Sequence, residues 1–134
     1  MADEAILIEL FNQGRPIRYS VADALAVPKG SLMELDSDRT LIIHSGADEP
    51  IVGIAAHEKV ALDGATTMSV YTDGIFDITA AAGGVTALGA LCAGSATVNM
   101  ITAADGDDIL QSSDVGFCME AHANNEVAAV RINK

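Results

Sequence analysis

The side chains of this chain that are able to do chemistry are few and scattered. They are His44, His57 and His122, Cys92 and Cys118, Lys29, Lys59 and Lys134, and the acidic run Asp105-Gly106-Asp107-Asp108. Nucleophilic catalysis needs a Ser or Cys with a His and an orienting acid able to converge on it. No serine stands in a Gly-x-Ser-x-Gly elbow. His57-Glu58 and Glu120-Ala121-His122 put histidine beside acid, but at the ends of similar strands, where solvated turn residues are expected. Both cysteines fall in apolar strand segments, Ala90-Leu91-Cys92-Ala93 and Gly116-Phe117-Cys118-Met119. That setting favours buried thiols packing as small hydrophobes over a reactive thiol or a bridge between neighbouring strands. Two lone cysteines do not supply the four ligands of a zinc site. The acidic run looks superficially like a calcium loop, yet Gly116 stands where the closing Glu of an EF-hand is needed. A solvated acidic turn is the expectation there.

Lys29, between Pro28 and Gly30, has the turn position of a carrier lysine, but it lacks the flanking Met or Asp-Lys-Ala/Val context of lipoyl and biotin carriers. Gly83-Gly84 follows an alanine run and has neither the spaced Gly-x-Gly-x-x-Gly nor the Walker pattern. The residue types therefore define no catalytic centre, no cofactor site and no metal site.

The elements that would position any site are short and extended. Residues 17–21, 31–35, 40–44, 51–57, 68–78, 88–93, 97–102, 115–122 and 126–132 read as strands, separated by Gly, Asp, Asn and Pro. Asp63-Gly64, Asp105-Gly106 and Asn124-Asn125 supply residues that tolerate positive φ in tight turns. Asp73-Gly74 lies inside an extended run and suggests a bulge or barrel-corner bend. The Ala-rich stretches 21–27 and 80–85 are each long enough for one helical turn.

An internal repeat organises these strands. Gly30-Ser31-Leu32 aligns with Gly89-Ala90-Leu91, and Val52-Gly53-Ile54-Ala55 with Val115-Gly116-Phe117-Cys118. Pseudo-repeats over about 17–72 and 75–132 follow. One such unit is too small to bury its apolar face alone, so the halves are expected to close on each other and so remove exposed edges. The fold class is all-β: a small β-barrel built from two similar halves, with one or two short helical turns. Residues 1–16 form a short N-terminal arm ahead of a single β-barrel domain over 17–134. Within the arm, Ile6, Leu7, Ile8, Leu10 and Phe11 are the candidate contact residues. The run reads as a strand, either docked on another subunit or serving as an ordinary first strand of the core.

Composition narrows the function classes. With 134 residues, 50 % of them apolar, the chain has one domain's worth of material and enough to bury. Nineteen acids against seven bases, net −12, argue against a nucleic-acid binder and against attraction to anionic membranes. No apolar run reaches the roughly 20 residues of a membrane span. The acidic start, Met1-Ala2-Asp3-Glu4, is unlike a secretory signal.

The pattern resembles one family, the small β-barrel decoration or cement proteins on the capsids of tailed phages and related viruses. The residues that carry the resemblance are Ile51-Val52-Gly53-Ile54-Ala55, the strand Ser69–Asp77 with its Val70-x-x-x-Gly74-x-Phe76 spacing, Thr86–Leu91, Val115-Gly116-Phe117 and Val127–Ile132. It covers about residues 17–134; the longer start at residues 6–14 departs from it. The resemblance implies a non-enzymatic protein on the capsid exterior of the virion, made in the host cytoplasm. The partner it implies is the major capsid protein, bound by a homotrimer. A rival class is a carbohydrate- or receptor-binding module, although sugar sites usually present exposed aromatics and this chain has no Trp, two Tyr and three Phe.

Overall fold

The computed structural model describes residues 4–9, 15–81, 88–121, 123 and 125–134. The strands are β1 (Ile6–Glu9), β2 (Ile17–Val21), β3 (Leu32–Ser37), β4 (Thr40–Ile43), β5 (Ile51–Ala55), β6 (Thr67–Tyr71), β7 (Asp73–Ala80), β8 (Leu91–Gly94), β9 (Met100–Ala103), β10 (Asp114–Cys118) and β11 (Val127–Asn133). One helical turn, α1 (Gly106–Leu110), precedes β10.

The all-β class, the barrel architecture and the two similar halves stand as read from the sequence. The closure differs. Each half closes on itself: β2-β4-β3-β5-β6 form barrel one, and β7, β9, β8, β10 and β11 form barrel two in the same cyclic order. In each, the first strand runs parallel to the third (Ser20↔Thr40, Thr79↔Met100) and antiparallel to the last (Ile17↔Val70, Phe76↔Val130). The repeat therefore extends to register, with Ile17, Tyr19, Leu32, Ile54 and Val70 in barrel one corresponding to Phe76, Ile78, Leu91, Phe117 and Val130 in barrel two.

Small barrels coil their strands sharply, and a glycine marks the same corner in both halves. A Cβ at Gly53 would collide with the carbonyl oxygen of Tyr71, and one at Gly116 with that of Arg131. Gly30 and Gly89 are a second matched pair, both at positive φ (+89° and +77°), and their N–H groups donate to the carbonyls of Ala55 and Cys118. At Asp73-Gly74, where a bend is expected, the chain leaves β6 and enters β7, passing from one barrel to the other through Thr72.

The first of the two alanine-rich stretches forms no helical turn. Residues 22–26 are non-helical, Val27 forms an isolated bridge with Lys59, and 82–87 lie outside the described residues. A helical turn forms at 106–110, in what the sequence presents as a solvated acidic turn. Asp105 caps it: its Oδ1 accepts from the Asp107 and Asp108 N–H groups, while Asp108 Oδ2 accepts from Asp105 N at 2.7 Å. A reciprocal capping box of this kind stabilises a helix start that alanine content alone does not.

Two apolar clusters make the core. Barrel one encloses Val21, Val27, Met33, Leu41, Ala55, Met68 and Val70. The second cluster fills barrel two with residues including Ile78, Cys92, Ile101 and Val130, and it also takes in Leu32, Ile51 and Ile54 from the outside of barrel one. The junction between the barrels is thus a continuation of the second core.

Candidate functional site

The residues singled out for chemistry sit apart, and most are occupied structurally. His44 is fully buried; its Nδ1 accepts from the Asn99 N–H at 3.3 Å and its Nε2 donates to the Gly46 carbonyl at 2.8 Å. His57 is exposed, with Nε2 accepting from Ser69 N and Nδ1 donating to the Glu58 carbonyl. His122 lies outside the described residues. Lys59 is buried with its Nζ donating to the carbonyls of Asp23, Leu25 and Val60 and ion-paired with Asp63 at 3.2 Å. Lys134 Nζ donates to the carbonyls of Ser112 and Asp114. Among the described residues no group of three His, Cys, Asp or Glu side chains is placed to hold a metal ion.

Cys92 and Cys118 are fully buried, as expected, but the expectation of two separate thiols is corrected: they form a disulfide between β8 and β10. Gly116 lies opposite Cys92 in the β8–β10 register, and Cys118 follows two residues further along β10.

The arm forms a strand, and its partner is in the same chain. β1 adds antiparallel to β7, with Ile6↔Asp77, Leu7↔Phe76 and Glu9↔Ile75 and a bulge between Leu7 and Glu9. Ahead of it, Ala5 N donates to the Gly30 carbonyl at 2.6 Å, so the arm spans both barrels. Its large side chains are not core: Ile6 is 63 % exposed, Leu7 38 % and Ile8 51 %. Glu4, Ala5, Ile6, Leu7 and Lys29 line part of a cleft of about 660 Å³. β1 ends its sheet, so its outer edge carries no strand among the described residues. Leu10 and Phe11, the other candidate contacts, lie outside the described residues.

A polar lock at the junction was not anticipated. Asn99, in the β8–β9 turn with φ +61°, accepts from Leu32 N on Oδ1 at 2.9 Å, while its own N–H reaches His44 across the barrels. Ile51 N donates to the Ser112 carbonyl beside it. The residue at the matching place in barrel one is Arg39, also at positive φ (+49°), and no signal in the residue types marks the lock.

The described residues thus form two like barrels of the all-β class, with an edge strand and apolar patches at their surface. Comparison with known proteins gives the family. The model of the phage cement protein family matches residues 11–133. The chain belongs to that family, and so to the structural proteins associated with the phage virion. Its fold is similar to the solved head fiber gp8.5 N base of bacteriophage phi29, at a TM-score of 0.54 and 13 % identity, covering 89 % of this chain and 93 % of that one. No curated protein matches.

Proposed function

We propose that this protein binds the outer surface of an assembled phage capsid through contacts with the major capsid protein, and stabilises the shell as a homotrimer without catalysing a reaction. The family match over residues 11–133 carries the reading. The arm supports it: Ile6 and Ile8 are held extended on a strand whose outer edge no described strand pairs, with their side chains largely exposed. Synthesis in the host cytoplasm and final residence on the capsid exterior follow from the same reading. A net charge of −12 suits docking on a basic shell patch and keeps a dense coat soluble. Repetition over a lattice multiplies a modest contact by avidity.

The test is co-sedimentation with capsids lacking the protein. Deleting residues 2–12 removes β1 and the Ala5–Gly30 contact but leaves both closed barrels intact. The expected result is loss of co-sedimentation with an unchanged circular-dichroism spectrum. Undiminished sedimentation of the truncated chain refutes the arm as the anchor. For the wider reading, mass spectrometry of salt-washed virions should give a fixed ratio to the major capsid protein; absence from particles refutes it.

A further inference from the structure

The two barrels of this chain pack asymmetrically, and each leaves free the face that the other uses. Barrel one offers the outside of β3 and β5, where Leu32 pairs with Ile54. Those two residues are 0 % and 1 % exposed because barrel two covers them. The same cross-strand pair in barrel two is Leu91 with Phe117. No described residue covers it: Leu91 is 43 % exposed and Phe117 half-buried, and Leu88 nearby is 71 % exposed.

The complementary face behaves in the opposite way. In barrel two, Phe76, Ile78 and Val115 are each 1 % exposed and belong to the core that takes in Leu32 and Ile54. Their counterparts in barrel one are Ile17, Tyr19 and Val52. Ile17 is 44 % exposed, the other two are half-buried, and all three line an open cleft of about 410 Å³. The edge of β7 that β1 occupies beside Asp77 also has a counterpart at Arg18 of β2, where no strand pairs among the described residues.

We propose that copies of this chain associate head to tail, the Leu91–Phe117 face of barrel two in one copy docking on the Ile17–Tyr19–Val52 face of barrel one in the next. The occupant is a second copy because the contact continues an interface already present inside each chain, between surfaces of matching register. Charge agrees with it. Where Asn99 meets Leu32 and His44 within the chain, the correspondence sets Arg39 of one copy against Leu91 and Ala104 of the next, beside the carboxylates of Asp105 and Asp107. Arg39 has its guanidinium over the Tyr19 ring and donates to the Arg18 carbonyl, with no carboxylate against it among the described residues. A heterologous contact of this type closes into a ring when the rotation allows, and every interface in the ring is then the same. This deepens the oligomer of the function proposed above and is independent of the arm.

Light scattering coupled to size-exclusion chromatography of the full chain tests it. The wild type should run as an oligomer of fixed copy number. Leu91→Arg and Ile17→Arg, each on a different face, should both run at the mass of one chain. An equimolar mixture of the two variants retains one undamaged interface and should form a dimer that grows no further, which also shows that both variants are folded. A monomeric wild type, single variants that still form the full oligomer, or a mixture that stays monomeric overturns the proposal. An arm-deleted chain that keeps its oligomer but loses capsids leaves this inference standing, whereas a monomer that still sediments with capsids removes it alone.

Discussion

Lys59 carries an ammonium group with no solvent-exposed side-chain surface, held by three backbone carbonyls and by Asp63. A buried cation is tolerable only when its donors are matched in this way. Asp63 is the exposed end of the arrangement. Its carboxyl is held below its ordinary value of 3.8, first by accepting the Ala65 N–H, which outweighs the opposing effect of burial, and then by Lys59. A carboxyl with a depressed folded-state pKa adds stability that is complete above the unfolded value and disappears as pH falls through the folded one. Between about pH 5 and pH 2, the thermal midpoint of the wild type should therefore fall more steeply than that of Asp63→Asn. Parallel melts of the two proteins check this; equal slopes would remove Asp63 from the acid response. None of this was legible from the residue string, in which Lys59 is merely a lysine after a glutamate in a polar stretch. Its partners are carbonyls, and carbonyls leave no trace in residue identity. The cysteines were half legible for a related reason: apolar neighbours announce burial, whereas pairing depends on a cross-strand register that only the fold supplies.

The strands were the most legible elements. β2 falls on the expected 17–21, and most of the others overlap their expected segments to within a few residues at each end. The expected 68–78 run is in fact two strands in two different barrels, for a physical reason. Met68, Val70, Gly74, Phe76, Ile78 and Ala80 keep one inward parity straight through the crossing at Thr72, so alternation continues where connectivity changes. Gly53 and Gly116, placed in the same motif by the repeat, have a stronger consequence. Because a Cβ at either would strike the backbone of the facing strand, Gly53→Ala and Gly116→Ala should each lower stability by about 1–3 kcal/mol. Urea denaturation gives the comparison, with Gly106→Ala as the control, since a Cβ there meets nothing. A loss confined to the control would contradict the close approach. The described helical turn owes its place to capping rather than to alanine content, and the run Asp105-Gly106-Asp107-Asp108 carries the capping box in the sequence itself.

At the scale of the molecule, the duplication was readable and the manner of closure was not. The sequence alone suggested that one unit is too small to bury its apolar face and that the two halves close on each other. Each unit does close, and the apolar pair left on its outside, Leu32 with Ile54, finds cover in the other barrel instead. Asn99 fixes that junction, and truncating it should leave the buried Leu32 N–H without its acceptor. Asn99→Ala is expected to destabilise the chain by about 1–3 kcal/mol while unfolding stays a single concerted transition. Two resolved transitions in a denaturant titration would show that the barrels are energetically separate. The asymmetry of the two cores also orders events in time. Among the described residues, the interior of barrel one draws on none beyond Val70, whereas the core of barrel two takes in Leu32, Ile51 and Ile54 from the half made earlier. During synthesis the first barrel has all its own parts once β6 has emerged, and it can then serve as the template against which the second condenses. The reverse order is closed to this chain, since the second half on its own lacks part of the core that it must be built around.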